Sequence, residues 1–218
     1  MKIKKISHCC LVIELGGKTI LTDPGSFSNA QDSLTGIDAV VITHEHGDHF
    51  HAESVRAIVK NNPEAMVIAN AAVGKLLDGL GVAHTVVDGR GKAAIGEVAI
   101  EAFDCRHEEI FEEIGQVSNT AYLMSAGGRS FFIPGDAYCD PGAAAKVDVL
   151  ALPVASPWCR LRDALRYAIK VGPHAAFPIH DAVLRQDTSG FLYQLAERVL
   201  KERGITFTAL HDGGGMEF

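Results

Sequence analysis

Apolar and polar residues alternate along the chain in short blocks, which predict strands and amphipathic helices. The first block predicts a β-hairpin, because the apolar segments Cys9 to Leu15 and Lys18 to Thr22 flank Gly16-Gly17. The polar stretch from Ser26 to Gly36 predicts a surface loop. Ala39 to Thr43 then forms a continuous apolar run, which is typical of a strand covered on both faces.

Helices and strands alternate over most of the remaining chain. Helical periodicity predicts four helices, at Ala52 to Lys60, Ala71 to Leu80, Arg162 to Lys170 and Phe191 to Arg203. Further strands are predicted at Ile3 to Ile6, Ala65 to Ala69, Val98 to Phe103, Ala121 to Ser125, Arg129 to Ile133, Val147 to Leu152, Ala175 to Pro178 and Thr206 to Leu210. Hairpins mixed with βα units predict a layered α/β fold. No repeat or Pro/Ser-rich linker divides the sequence, so we expect one domain over residues 1–218.

Composition excludes several classes of protein. The chain of 218 residues has a formal net charge of -7 and no basic stripe, so we expect no nucleic-acid partner. It has no apolar run near the ~20 residues of a membrane span, so we expect no membrane association. Its five cysteines lack the spacing of a disulfide framework, which favours reduced thiols and a cytoplasmic location. Self-association is left open.

The segment that follows the predicted strand from Ala39 carries the strongest chemical signal. It reads Thr-His-Glu-His-Gly-Asp-His, and it places His44, His46, Asp48 and His49 within six residues. Side chains at i and i+2 of an extended chain point to the same side, so His44 and His46 can hold one ion together. Gly47 permits a sharp turn, after which Asp48 and His49 reach a second point nearby. Imidazole and carboxylate groups are ligands for zinc, manganese and iron.

Three more candidate ligands follow predicted strands in the same way. His107, Asp136 and His180 each lie just beyond an apolar segment. Ligands gather at the carboxyl ends of strands in layered α/β folds, so one edge of the protein is expected to collect all seven side chains. Zinc is the expected metal, with manganese or iron as alternatives.

These residues, in this order, resemble the motifs of the metallo-β-lactamase superfamily over nearly the whole chain. The matching positions are Asp23, the Thr-His-Glu-His-Gly-Asp-His block, His107, the Gly135-Asp136 pair and His180. The sequence also resembles small bacterial metal-dependent hydrolases of the ascorbate-phosphate lactonase-like branch. That similarity rests on its opening His8-Cys9-Cys10 segment, on Asn119 to Tyr122 and on Phe177 to His180. The resemblance implies a four-layer αββα sandwich.

The resemblance also implies a role for each residue. His44, His46 and His107 would bind one divalent metal ion, and Asp48, His49 and His180 would bind a second. Asp136 would bridge the two ions, and Asp23 would orient the ligand loop from behind. Asp48 and Asp136 are the candidate catalytic residues, as relays for a proton from a metal-bridging hydroxide.

Residues that contact the substrate are harder to identify. The resemblance places His8 near the site. Trp158 offers a stacking surface, although a packing role on a helix-entry loop is the simpler interpretation. Arg160 offers a guanidinium group for a phosphate or carboxylate, although a solvated helix start is the favoured interpretation.

The sequence therefore favours a dinuclear-metal-dependent hydrolase that acts on a small ester, lactone or phosphoester. A small phosphodiesterase or nuclease of the same fold is the alternative within the same class. A non-hydrolytic metal-binding or redox module is the alternative outside it, and a scaffold that has kept the fold is a third. Small molecules are the expected partners.

Overall fold

Two seven-stranded mixed β-sheets form the middle of the computed structural model, which describes residues 1–185 and 188–218. The first sheet contains, in chain order, β1 (Lys2–Ser7), β2 (Cys10–Leu15), β3 (Lys18–Thr22), β4 (Ala39–Ile42), β5 (Met66–Ala69), β6 (Thr85–Val86) and the C-terminal β14 (Gly215–Glu217). β14 pairs with β1 in antiparallel orientation, whereas β3, β4, β5 and β6 run parallel to one another.

The second sheet follows the order of the chain. Its strands are β7 (Lys92–Ile95), β8 (Val98–Arg106), β9 (Ser118–Ala126), β10 (Arg129–Ile133), β11 (Val149–Pro153), β12 (Ala175–Ile179) and β13 (Thr206–Phe207). β7 to β10 form an antiparallel meander, and β10 to β13 are parallel.

Helices cover the outer face of each sheet. They are α1 (Ala52–Asn61), α2 (Ala71–Leu80), α3 (Leu161–Val171) and α4 (Ser189–Lys201). Val55 of α1 and Leu77 of α2 pack against the first sheet, while Leu165 of α3 and Leu200 of α4 pack against the second. The predicted four-layer αββα sandwich is therefore confirmed. No helix among the described residues is long and apolar enough to span a membrane.

The alternation of side chains along the strands explains the layers. In β2, Leu11 and Ile13 point into the core between the sheets, whereas Cys10 and Val12 face the helices of the first sheet. Central strands such as β4 and β12 are buried and apolar on both faces, because both sides of each sheet are covered there. The capping of α2 also follows from its sequence, since the Asn70 side chain accepts a hydrogen bond from the Val73 amide at 3.0 Å.

The structure differs from the sequence-based prediction mainly at short elements. β6, β7 and β14 are missing from the prediction, because each is only 2 to 4 residues long and lies at or near a sheet edge. The predicted surface loop from Ser26 to Gly36 contains a 3-10 helix, Ala30–Ser33. Gln31 of that helix is fully buried, where its amide donates to the carbonyl of Gly25.

Candidate metal centre

The candidate ligands lie at one edge of the sandwich, where β4, β8, β10 and β12 end. A backbone hydrogen bond of 3.0 Å from Thr120 to the Thr43 carbonyl joins the two sheets at this edge. His44 follows β4, His107 follows β8 and His180 follows β12. The expectation that strand ends would gather these residues agrees with the geometry.

The loop after β4 turns back on itself immediately. The amides of His49 and Phe50 both donate to the carbonyl of His46, at 2.9 and 2.8 Å. Gly25 lies against the outside of this turn, and a Cβ there would meet the Asp48 carbonyl oxygen at 1.8 Å. Only glycine can occupy that position without displacing the loop.

The clustered ligand atoms form two groups. His44, His46 and His107 make up the first, with ligand atoms within 4.8 Å of one another. Asp48, His49 and His180 belong to the second, together with His8, again within 4.8 Å. Apart from His8, these two groups contain the same residues as the two sets of metal ligands that the resemblance implies.

Asp136 lies between the two groups. Its Oδ2 is 3.3 Å from His107 Nε2 and 2.8 Å from His180 Nε2, and its Oδ1 is 3.0 Å from His49 Nε2. The backbone of Gly135 allows this placement, because its φ is +64° and an added Cβ would lie 2.2 Å from the Asn119 side-chain oxygen. That same oxygen accepts a hydrogen bond from the Asp136 amide.

Four of the histidines present the same nitrogen to the cluster. Their Nδ1 atoms contact oxygen atoms of the protein: His44 with Thr43 Oγ1 (3.1 Å), His49 with Asp23 Oδ2 (2.9 Å), His107 with the Glu108 carbonyl (2.5 Å) and His180 with the Ala155 carbonyl (2.7 Å). Carbonyl and carboxylate oxygens only accept, and the Thr43 hydroxyl already donates to Asp23. Each Nδ1 therefore carries a proton, so Nε2 is the atom that has the lone pair whenever the ring is neutral.

Those lone pairs provide a test of whether a metal fits. The Nε2 atoms of His44, His49, His107 and His180 are buried and form no hydrogen bond of regular geometry, and the same is true of Asp136 Oδ1. Buried acceptors of this kind are destabilising unless a cation lies between them. Imidazole nitrogen and carboxylate oxygen are ligands that zinc accepts, so the residues present fit a divalent metal.

The carboxylate of Asp23 lies outside the cluster and binds the loop that carries the candidate ligands. Asp23 is fully buried, and it accepts hydrogen bonds from the Thr43 amide (2.8 Å), the Thr43 hydroxyl (2.9 Å) and His49 Nδ1 (2.9 Å). This arrangement matches the loop-orienting role expected for Asp23.

Backbone strain is concentrated at the same edge. Four non-glycine residues in the described parts of the chain have positive φ, and three of them, His8, Asp23 and His180, lie here. Such conformations cost roughly 1–3 kcal/mol each and persist where the surroundings impose them.

The electrostatics of the cluster favour neutral imidazoles in the first group. Burial lowers the pKa of His44 well below its usual value, and repulsion from His49 lowers it further. Burial and the neighbouring His107 also lower the pKa of His46. Both side chains are therefore neutral near pH 7, which is the form that binds a metal.

The centre of the cluster attracts positive charge. Burial alone would raise the pKa of Asp136, but the charges of His49 and His180 hold it well below the usual value. Conversely, burial would lower the pKa values of His49 and His180, but Asp136 raises both well above the usual value. A cation is therefore favoured at this point, whether it is a proton or a metal ion.

The three predicted substrate contacts have different locations. Trp158 reaches the cluster, where its indole N–H donates to Asp136 Oδ2 at 3.1 Å. His8 is buried there as well, with Nε2 3.2 Å from Asp48 Oδ2. Arg160 is exposed at the N-cap position of α3, and no contact with the cluster is seen within residues 1–185 and 188–218. Its substrate-binding role stays a prediction.

Sequence reasoning missed Cys9. Its thiol lies within 4.8 Å of ligand atoms of His49 and Asp136, beneath the cluster, and burial raises its pKa. Cys9 directly precedes β2, and its side chain belongs to the core between the sheets. The alternation of β2 indicates only that Cys9 points inward, since the identity of its neighbours depends on how the two sheets pack.

Comparison with known proteins agrees with the fold. The family profile described as a beta-lactamase superfamily domain matches residues 2–180. A protein of Mycobacterium tuberculosis, named Rv0786c, is 33% identical over 88% of this chain and 90% of its own length. A UPF0173 metal-dependent hydrolase of Flavobacterium johnsoniae is 26% identical, over 86% of this chain and 79% of its own.

Among solved structures, a novel metallo hydrolase from Ignicoccus hospitalis, Igni18, superposes with a TM-score of 0.78 at 19% identity. The superposition covers 100% of this chain and 98% of that one, and it shows a shared fold. With the family profile, the fold and the ordered cluster of histidines and aspartates in agreement, the chain belongs to the beta-lactamase superfamily and has the metallo-β-lactamase fold.

Proposed function

We propose that this protein is a metal-dependent hydrolase that holds two divalent ions, with zinc expected and manganese or iron as alternatives. His44, His46 and His107 would hold one ion, and Asp48, His49 and His180 the other. The observation that carries the proposal is the set of buried histidine Nε2 atoms around Asp136, an arrangement that is favourable only with a proton or a metal ion among them. Relatives named metal-dependent hydrolases add support.

Asp136 is the candidate bridging ligand because it reaches both groups. Its two oxygens lie within 3.3 Å of nitrogens from His49, His107 and His180. The Trp158 indole N–H donates a hydrogen bond to Asp136 Oδ2, and the Asn119 side-chain oxygen accepts one from the Asp136 backbone amide. These contacts orient the carboxylate before any ligand arrives.

Two divalent ions in such a site supply a hydroxide nucleophile at neutral pH and stabilise developing charge on the substrate. The protein's own residues complete the site. Asp48 and His46 are only partly buried, so the cluster is accessible to a small substrate at these two side chains. Asp48 and Asp136 are the candidate proton relays, because their carboxylates lie among the histidines that would hold the two ions.

The proposed substrate is a small ester, lactone or phosphoester. The net charge of -7 disfavours a polynucleotide, because polynucleotide binding relies on neutralising phosphates with Lys and Arg. Trp158 is the strongest candidate for a substrate contact, since it is half-buried and 5.8 to 5.9 Å from the rings of His180 and His107.

Metal analysis by mass spectrometry tests the proposal on protein purified without added metal. We expect about two equivalents of zinc or manganese, and a lower content in His44→Ala. His174→Ala is the matched control, because His174 is exposed and pairs with Asp148 away from the cluster. Absence of metal after attempted reconstitution would overturn the proposal.

The substrate class is tested by a panel of lactones, esters and small phosphodiesters, with single-stranded oligonucleotides as a comparison. Turnover of a small substrate that is lost in His44→Ala supports the proposed hydrolase. Iron as the main metal together with no hydrolysis would favour the redox alternative. Turnover of oligonucleotides alone would favour the nuclease alternative.

A further inference from the structure

We infer that His8 is a positioning residue that holds Asp48 through its Nε2–H group, rather than a fourth histidine ligand of the second ion. The inference rests on the proposed function, because Asp48 is a ligand of that ion there. Proximity alone would favour direct ligation, since the ligand atoms of His8, Asp48, His49 and His180 all lie within 4.8 Å of one another.

His8 uses its two ring nitrogens in the opposite way from the four clustered histidines described above, because its Nδ1 accepts a hydrogen bond. The backbone amide of Ala182 points at His8 Nδ1, at a distance of 3.3 Å. A backbone N–H can only donate, so Nδ1 is the acceptor and carries no proton. In a neutral imidazole the proton then lies on Nε2, which is 3.2 Å from Asp48 Oδ2.

This protonation pattern separates His8 from the metal ligands. His44, His49, His107 and His180 have a proton on Nδ1, which faces the protein, and their Nε2 atoms face the cluster. The lone pair of His8 instead faces Ala182, and its N–H faces the cluster. Ligation through Nε2 would transfer the proton to Nδ1, where it would oppose the amide N–H of Ala182.

The ring of His8 is held rigidly in this orientation. His8 is only 1% exposed, and its ring centroid lies 4.1 Å from that of His180 and 4.7 Å from that of Phe27. Its φ of +55° is an unfavourable conformation for a residue with a side chain. The surrounding packing therefore maintains a strained residue whose N–H points at a carboxylate.

The bond has a defined consequence for Asp48. Asp48 is partly exposed, so its carboxylate would otherwise rotate more freely than that of Asp136. The His8 N–H occupies one acceptor position of Oδ2 and leaves the remaining lone pairs for a cation. Groups that hold a metal ligand from outside in this way typically contribute 10–100-fold to metal affinity.

Two variants at this position distinguish positioning from ligation. His8→Leu removes the N–H, whereas His8→Gln places an amide N–H near the former Nε2. Both carry a Cβ at the same positive φ, so the backbone cost is comparable. Affinities for the two ions are measured by titrating zinc against a competing chelator, with circular dichroism and thermal melting as fold controls.

We expect His8→Leu to lower the affinity of the protein for one of the two ions by about 10–100-fold. His8→Gln should restore most of that loss, and the number of histidine nitrogens in X-ray absorption of the zinc-loaded protein should be unchanged. Loss of one nitrogen ligand without rescue by Gln would identify His8 as a ligand and overturn the inference. Unchanged affinities in both variants would overturn it as well.

Nitrogen-15 NMR of the histidine rings gives a readout that needs no metal. His8 should show the Nε2–H tautomer, while His44 should show the Nδ1–H tautomer and serve as the internal reference. A Nδ1–H tautomer at His8 would contradict the inference. If the wild-type protein binds no metal but His8 shows Nε2–H, the proposed function fails while the assigned hydrogen bond stands.

Discussion

A single protein oxygen beside each ring sets the tautomer of the clustered histidines. Thr43, Asp23 and two backbone carbonyls hold the Nδ1 protons, which leaves Nε2 free at the centre of the site. The chemistry of the cluster thus depends on residues that never touch the metal position. Predictions at this scale concern individual side chains.

Asp136→Ala should remove the only carboxylate that reaches His49, His107 and His180 together among the described residues. We expect metal content to fall from about two equivalents to one or fewer, and any measured hydrolysis to drop by more than about 100-fold. Asp140→Ala is the control, because Asp140 is exposed in the same loop and pairs with Lys170. Two retained ions with full turnover would show that Asp136 is not the bridge.

Asp23→Asn should reverse the tautomer of His49. The new amide N–H would face Nδ1, so the ring proton would move to Nε2 and block the ligand atom. We expect zinc affinity to decrease by about 10–100-fold, measured by chelator competition. Asp38→Asn is the control, since Asp38 caps the Thr19 amide away from the site. Equal affinities in the two variants would argue against the orienting role of Asp23.

Proton release on metal binding follows from the raised pKa values of His49 and His180. Below those pKa values both rings carry a proton on Nε2, because Nδ1 is already bonded to the protein. A metal must displace these protons, so affinity should rise with pH and proton release should decline at high pH. Calorimetry in two buffers with different ionisation enthalpies measures the release. Identical heats in both buffers would contradict this expectation.

At the scale of elements, β1 and β12 are joined across the two sheets by a buried ion pair. Lys5 of β1 is fully buried, and its ammonium lies 2.5 Å from Asp181, the residue after His180. It also donates to the Pro178 carbonyl of β12, at 3.0 Å. These contacts of Lys5 fix the distance between β1, which precedes His8, and β12, which precedes His180.

Lys5→Met should therefore destabilise the protein strongly, since it leaves the Asp181 carboxylate buried without its cation. We expect a loss of about 3–5 kcal/mol in the free energy of unfolding, measured by urea denaturation. Lys18→Met is the matched control, because the Lys18–Asp38 pair has a similar distance of 2.8 Å but is partly exposed. That variant should lose less than about 1 kcal/mol. Equal losses would mean that burial does not govern the energetics of these pairs.

Elements with a clear local sequence pattern were predictable from the sequence. β10 and α2 have the predicted bounds, since an apolar run between turns defines the first and Asn70 with Gly81 defines the second. The C-terminal strand β14, in contrast, depends on a partner far along the chain. β14 forms only because Met216 pairs with Ile3, which no local pattern indicates.

For the whole molecule, the candidate metal centre takes its residues from both halves of the sandwich. His44 and His46 extend from the first sheet, whereas His107, Asp136 and His180 extend from the second. A ligand that binds only the folded state at 100 times its dissociation constant stabilises that state by about 2.7 kcal/mol.

Removal of metal should therefore lower the thermal stability of the protein. We expect chelation to decrease Tm by roughly 5–10 °C, and added zinc to restore it. Differential scanning calorimetry of chelated and reconstituted protein measures the shift, with His44→Ala as the control that should respond weakly. A chelated protein with the Tm of the loaded protein would indicate that the centre does not link the sheets.

The sequence by itself determined the kinds of ligand, their order and the layered architecture. His44 to His49 are close in the chain, so their spacing already implies a shared site, and strand ends predict where His107, Asp136 and His180 lie. Only the tertiary structure decided the tautomers of the clustered histidines, the hydrogen bonding of His8, and the position of Cys9 beside His49 and Asp136. These features depend on contacts such as Ala182 with His8, which are 174 positions apart and meet only when the two sheets pack face to face.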